Sequence, residues 1–198
     1  MAEFRDIHEA IRSSLDRENE LRENAYQASR QLTIISRNQI SRIVRGESPG
    51  DEKDLDGARD LILDIRGKGE ALRHAFIDDS LSECAEAKIL ARIVNDNRLP
   101  TPEEIKITER DYILGAGDVI GEMRRMALNS LLGDDIDSAK GYMDWMRELY
   151  TLMEDLVYPS GLLPIKRKRD VARSLIDRTS GEIAIASATS RYETGGDP

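Results

Sequence analysis

Two pairs of acidic residues have spacings that could place carboxylates side by side on helices. Asp118 and Glu122 are one helical turn apart in an otherwise apolar segment, and Glu83 and Glu86 are three positions apart upstream. Mg²⁺ prefers carboxylate and water oxygens, and Mn²⁺ accepts the same ligands. If the two helices are antiparallel neighbours, the four acids could converge on a divalent cation. Such a cation activates water and stabilises charge on a phosphate that is being transferred.

A simpler interpretation is open for each pair. An unpaired ionised carboxylate within an apolar helix costs several kcal/mol, so Asp118 and Glu122 could instead face solvent or pair with an arginine. Arg124, Arg125 or an arginine of another helix could serve. Glu83 and Glu86 could form a solvated acidic face, which is the commonest role of glutamate on a helix.

Other kinds of catalytic centre are poorly supported by the sequence. The chain has two histidines, His8 and His74, and one cysteine, Cys84, which are too few for a zinc site. We interpret Cys84 as core packing and His74 as a structural or substrate-facing polar group. No glycine-rich phosphate loop of the P-loop or dinucleotide-binding type is present.

Basic residues are concentrated in two segments although the chain is acidic overall, with 29 Lys and Arg against 38 Asp and Glu. Residues 24–45 contain no acid but four arginines, Arg30, Arg37, Arg42 and Arg45. Phosphate binding explains this excess better than an ordinary solvated face does. Residues 166–169 form a second cluster at the start of a helix, where positive charge opposes the helix dipole. A phosphate-contacting or inter-subunit role and a solvated face are both open for this cluster.

The elements that must position these residues are all predicted to be helices. Residues 3–45 contain no Gly or Pro and carry apolar residues at heptad-like spacing, which predicts one helix of about 65 Å with a face that needs a helical partner. Further helices are predicted over 54–66, 70–94, 108–132 and 136–157 and from Pro164, with 182–190 included. Thr108 followed by Asp111 is typical of a helix N-cap. Gly115, Gly117 and Gly121 favour close approach of another helix.

These patterns predict one all-α domain over residues 1–193, an elongated antiparallel bundle of six helices, with a disordered tail at 194–198. No apolar run approaches the roughly 20 residues that span a bilayer. The first residues lack the apolar segment of a signal peptide, and a single cysteine fits a reducing compartment. We therefore expect a cytoplasmic protein without a membrane partner.

Residues 111–130, DYILGAGDVIGEMRRMALNS, followed by Gly133 and Asp134, resemble the signature of the translin family. Residues 83–87, ECAEA, resemble the Glu-x-x-Glu-Ala segment of its branch named after translin-associated factor X. The resemblance covers most of the chain, from the long first helix to at least Val157. The short chain fits a prokaryotic, archaeal homologue.

This resemblance implies an all-α subunit with a seventh helix, hence a bundle of six to seven helices. It also implies that the subunit assembles into a hollow oligomer, such as an octamer, that binds single-stranded RNA or DNA and short duplex RNA. Members resembling factor X are Mg²⁺-dependent endoribonucleases whose site faces the inner cavity. Carried over by motif, the catalytic and metal-binding residues would be Glu83, Glu86, Asp118 and Glu122. The nucleic-acid contacts, which rest on local charge, would be Arg30, Arg37, Arg42, Arg45, Arg73 and His74. A homo-oligomer is expected, and the need for a second translin-like subunit stays open.

Three alternatives remain at this stage. The chain could be a ring that binds single-stranded nucleic acid without cleaving it, as translin largely does. It could be an all-α nucleoside-triphosphate pyrophosphohydrolase of the MazG kind, although those enzymes normally space their second acid pair Glu-x-x-Asp and lack the long arginine-bearing helix. It could also be a helical scaffold that self-associates through the heptad face.

Overall fold

A computed structural model describes residues 2–67 and 75–194, and every regular element within these ranges is an α-helix. The six helices are α1 (Ala2–Val44), α2 (Glu52–Gly67), α3 (Ala75–Asp96), α4 (Glu109–Leu132), α5 (Ile136–Thr151) and α6 (Ile165–Thr194). The all-α prediction is thus confirmed. None of the described helices is both long enough and apolar enough to cross a membrane.

Helix α1 is only half packed. Its 43 residues exceed the 16 of α2 and the 22 of α3, the two helices that cover it. From Ala25 onward the apolar side chains of one face, including Leu32 and Ile43, are buried. Before that point they are exposed, and Phe4 retains 76% of its accessible surface. Within the described residues the face that was predicted to need a helical partner is therefore covered only over the second half of α1, because α2 and α3 are too short to reach the first half.

Helix α4 lies at the centre of the second half of the fold and packs against α3, α5 and α6. Its contact with α3 is close because Gly115 has no side chain. A Cβ at Gly115 would lie 2.6 Å from the Ser82 carbonyl oxygen and 2.8 Å from the Glu86 backbone nitrogen. Gly117 likewise faces α6, whereas a Cβ at Gly121 would meet open space. Close approach therefore explains the first two glycines, and that prediction is wrong for Gly121.

The start of α4 is fixed by the predicted N-cap. The Thr108 hydroxyl oxygen accepts from the backbone N–H of Asp111 and donates to its Oδ2 at 2.7 Å. The Asp111 side chain is fully buried and also accepts from Arg66 Nη1 at 2.8 Å. These contacts compensate the buried carboxylate and set the register of the helix that carries Asp118 and Glu122.

The connection from α5 to α6 differs from the sequence prediction. Helix α5 ends at Thr151 rather than at 157, because the Met153 N–H donates to the Tyr150 carbonyl in a tighter turn. Val157, the last residue of the predicted helix, lies beyond α5 and is 79% exposed. The prediction that 182–190 is helical is confirmed, since these residues lie in α6. Helix α6 runs to Thr194, and residues 195–198 of the predicted tail lie outside the described residues.

Candidate functional site

The contact between α3 and α4 brings the four predicted acids into one cluster. Glu83 and Glu86 project from α3, and Asp118 and Glu122 from α4. The pKa of Glu86 is raised to about 8, first by burial and then by the negative charges of Asp118, Glu122 and Glu83. All three charges are thus felt at Glu86. The two acid pairs, 32 to 39 positions apart in the sequence, form one electrostatic unit.

Asp118 is paired with a cation from another helix. The ammonium group of Lys168, on α6, contacts both of its carboxylate oxygens. The Asp118 side chain is 39% exposed. The apolar residues around it in the sequence had indicated deeper burial. The simpler interpretation of Asp118 is therefore correct about pairing, but the partner is a lysine and not one of the neighbouring arginines.

Glu83 is paired with Arg37, an arginine of α1. Arg37 Nε donates to Glu83 Oε2 at 2.8 Å, and Arg37 Nη2 donates to Oε1 at 2.5 Å. This fork geometry is the strongest form of an arginine–carboxylate contact. Glu83 is 22% exposed, whereas Arg37 is 68% exposed and its outer face is open to solvent. The pair therefore joins the predicted nucleic-acid-binding surface of α1 to the acidic cluster.

Glu122 is the acid with an unsatisfied atom. Its Oε2 is buried and accepts no hydrogen bond, and the nearest cation is Arg125 Nη1 at 3.6 Å. A buried carboxylate oxygen without a donor is costly unless a cation or water compensates it. Arg124, the other candidate partner in the sequence, instead binds Glu182 with its Nη1 2.8 Å from Oε2.

The donors fit a hard divalent cation in type but are not arranged as a ligand set. All four are carboxylates, and Glu122 Oε2 has acceptor capacity to spare. In the described residues, however, no three His, Cys, Asp or Glu side chains are placed to hold a metal ion together. Lys168 and Arg37 occupy Asp118 and Glu83 instead. Side-chain rotation away from these cations is what the cluster needs before it could coordinate a metal.

The predicted nucleic-acid contacts have different surroundings. Arg42 and Arg45 both lie near Glu47, with Arg45 Nε 2.7 Å from Glu47 Oε1 and Arg42 Nε 3.7 Å from Oε2. Arg30 is exposed and forms no ion pair with the described carboxylates. The lack of acids in residues 24–45 therefore did not leave all four arginines unpaired, because acids from other segments reach them. Arg73 and His74 lie outside the described residues.

Lys168 is the site residue that the sequence did not single out. It lies in the basic run at the start of α6, where positive charge opposes the helix dipole. The structure explains part of this run, because Lys168 binds Asp118 and Arg169 Nη1 donates to the carbonyls of Glu154 and Leu156. The unfavourable charge at the helix start was the available signal, but it could not tell which of the four residues faces the acids.

The acidic cluster lies within a segment that known proteins share. The family model described as the Translin family matches residues 72–179, which include α3, α4 and all four acids. The chain belongs to the translin family. The match covers more than half of the sequence and contains both segments that carry the resemblance.

Relatives of this translin-family chain include proteins from an archaeon and from mammals. An uncharacterised protein of Methanocaldococcus jannaschii is 28% identical over 85% of this chain and 78% of its own length. Translin-associated protein X of Mus musculus is 25% identical over 71% of this chain and 64% of its own length. The chain therefore spans less than two thirds of that mammalian protein.

Solved structures support the fold. The AfC3PO–duplex RNA complex superposes with a TM-score of 0.73 at 24% identity, over 91% of this chain and 96% of the other. Apo-NeC3PO superposes with a TM-score of 0.71 at 22% identity, over 90% of this chain and 96% of the other. At these identities the likeness establishes a shared helical architecture across nearly the whole chain.

Proposed function

We propose that this translin-family protein is an endoribonuclease that requires Mg²⁺, or Mn²⁺ in its place, and cleaves single-stranded or short duplex RNA inside a homo-oligomeric shell. The observation that carries the proposal is the convergence of four carboxylates from α3 and α4 at one place, where burial and then the charges of Asp118, Glu122 and Glu83 raise the pKa of Glu86 to about 8. Structural helix faces rarely concentrate like charges in this way, whereas active sites do.

The residues of the cluster have separate tasks in this proposal. Asp118, Glu122 and Glu83 would hold the cation, which when bound neutralises phosphate oxygens and lowers the pKa of a water molecule. Because burial and the neighbouring charges raise the pKa of Glu86 to about 8, its carboxylate would be a stronger base than an ordinary glutamate and is suited to accept a proton from the attacking water. Glu122 Oε2 is already free to act as an acceptor.

The RNA backbone would be bound next to the acids by α1. Arg37 holds Glu83 and is itself 68% exposed, so a phosphate could approach the guanidinium from the solvent side. Arg30 is one heptad before Arg37, on the same side of the helix, and is exposed. Arg42, Arg45, Arg73 and His74 stay predictions for the same surface. The similarity of the fold to AfC3PO, which was solved in complex with duplex RNA, supports a nucleic-acid ligand.

A labelled single-stranded RNA, incubated with the protein in Mg²⁺ or in EDTA, tests this function. We expect shortening of the RNA only with Mg²⁺, and a loss of at least about 100-fold in Asp118→Asn and Glu122→Gln. Glu148→Gln, which removes an exposed acid of α5 far from the cluster in sequence, is the matched control and should cleave as the parent does. Cleavage that persists in EDTA, or equal cleavage by parent and Asp118→Asn, would contradict the proposal.

A second candidate, a ring that binds nucleic acid without cleaving it, is favoured by the cations already bound to Asp118 and Glu83. In that case Arg37→Gln should weaken RNA binding in a filter-binding titration, with a steep loss of affinity as salt rises, while no RNA is shortened. The translin-family match favours either nucleic-acid function over the pyrophosphohydrolase alternative. Release of pyrophosphate from free nucleotides without RNA cleavage would reverse that preference.

A further inference from the structure

Lys168 pairs with one acid of the cluster through both of its carboxylate oxygens. Its ammonium group contacts Oδ1 and Oδ2 of Asp118 together. Lys168 and Asp118 are 29% and 39% exposed, so the pair is partly shielded from water. Each carboxylate oxygen keeps a second acceptor site, but an ammonium placed against both oxygens repels a second cation that approaches the same carboxylate.

The Lys168 side chain is held in this position by packing. A Cβ at Gly117 would lie 3.3 Å from Lys168 Cδ and 3.4 Å from Met153 Cε, so the lysine stem packs closely against the surface of α4 at this glycine. Ile165 and Ala172, three and four positions away on α6, are buried and anchor the helix on either side. The packing of α4 on α6 therefore places the Lys168 stem beside Asp118, while the ammonium group beyond Cδ is free to move.

The other cations near the cluster come from other helices. Arg37 on α1 binds Glu83, and Arg125 on α4 lies 3.6 Å from Glu122 Oε2. Lys168 lowers the pKa of Glu86, whereas the three neighbouring acids raise it. The positive charge of Lys168 therefore acts on Glu86 as well as on Asp118. Lys168 reaches the cluster from α6.

We propose that Lys168 competes with a divalent cation for Asp118. Its ammonium group pairs with the Asp118 carboxylate until a metal ion displaces it. This inference rests on the proposed function for the existence of a metal site. A lysine suits the role because its ammonium is a compact charge on a flexible stem, which can swing away when a stronger cation arrives. The affinity of the site for a divalent ion is consequently reduced by the cost of breaking the lysine–carboxylate contact.

Titration of the full chain with Mn²⁺, with free Mn²⁺ followed by electron paramagnetic resonance, measures this competition without reference to activity. Lys168→Gln should bind Mn²⁺ about tenfold more tightly than the parent, because Asp118 is then free to coordinate. Lys168→Met keeps the stem packed on Gly117, removes the charge, and should behave in the same way. The rise in melting temperature on adding Mn²⁺ should be larger in both variants than in the parent.

The matched control is Lys166→Gln, which removes the same charge from an exposed position two residues earlier on α6. Its Mn²⁺ affinity should stay within about twofold of the parent, since exposed charges are screened by salt. An equal gain in the Lys166 variant would mean that general charge, and not occupation of Asp118, sets the affinity, and would overturn the proposal.

The remaining outcomes separate this inference from the proposed function. If parent and Lys168 variants bind Mn²⁺ equally and Asp118→Asn weakens binding in each, the metal site stands and the competition is refuted. Weaker binding by the Lys168 variants refutes it as well, because lysine would then assist the metal. If no Mn²⁺ binds to the parent or to either Lys168 variant, both the metal site and the competitor role are wrong.

Discussion

The buried acid Glu86 should make the folded protein lose stability as the pH rises. Its pKa is about 8 in the folded chain and 4.5 in its ordinary environment, with burial as the largest cause and the charges of Asp118, Glu122 and Glu83 next. Between these values the folded state keeps a proton that the unfolded state has released. The stabilisation is therefore complete below about pH 4.5 and is lost as the pH rises through about 8.

The size of this effect follows from the two pKa values. A rise in the pKa of Glu86 from 4.5 to about 8 corresponds to roughly 5 kcal/mol, at about 1.36 kcal/mol for each pKa unit. The side chain is half-buried, so solvent screens part of this energy and we expect roughly 2–3 kcal/mol. Glu86→Gln cannot ionise and should lack this contribution. The variant should match the parent near pH 5 and be more stable than the parent above about pH 8.

Urea unfolding followed by circular dichroism, in EDTA and at one protein concentration, measures this difference across a pH series from about pH 5 to about pH 9. Glu148→Gln, at an exposed position of α5, controls for the loss of one acid. The free energy of unfolding of the control should follow the parent at every pH. Parallel curves for Glu86→Gln and the parent would refute the conclusion that Glu86 is protonated in the folded cluster.

Two further predictions concern the packing that supports the site. Gly115→Ala should lower the free energy of unfolding by about 1–3 kcal/mol, because its Cβ would meet the Ser82 carbonyl at 2.6 Å, whereas Gly141→Ala, with open space around it, should be neutral or stabilising by up to about 1 kcal/mol. Equal effects in thermal or urea unfolding would contradict the close α3–α4 contact. Arg59 is buried and donates to the Ile105 carbonyl at 3.0 Å. Arg59→Leu should therefore lower the free energy of unfolding by about 2 kcal/mol in the same measurement. An unchanged free energy of unfolding would show that this contact is unimportant.

Local patterns in the sequence were enough for the helices and for most of their ends. The absence of Gly and Pro predicted α1 within one residue at each end, and Thr108 with Asp111 predicted the start of α4. Helix formation and capping depend on residues within one or two turns, so the sequence contains the required information. The end of α5 was missed because the apolar pattern continued past Thr151 while the chain had already turned.

The acidic residues themselves were also evident from their spacing, and the family signature added the expectation of one shared site. Their partners were not. Arg37 reaches Glu83 across 46 positions, and Lys168 reaches Asp118 across 50. No periodicity links residues so far apart, because such contacts depend on how whole helices cross and not on the local chain.

By itself, the sequence determined an all-helical chain with two carboxylate pairs, an arginine-rich first helix and the translin-family signature. Only the tertiary structure decided that the apolar residues in the first half of α1 are exposed, that Gly115 allows close packing of α3 on α4, and that Lys168 pairs with Asp118. Helical periodicity is fixed by interactions between near neighbours, whereas burial and ion pairing are fixed by which helices meet and at what distance.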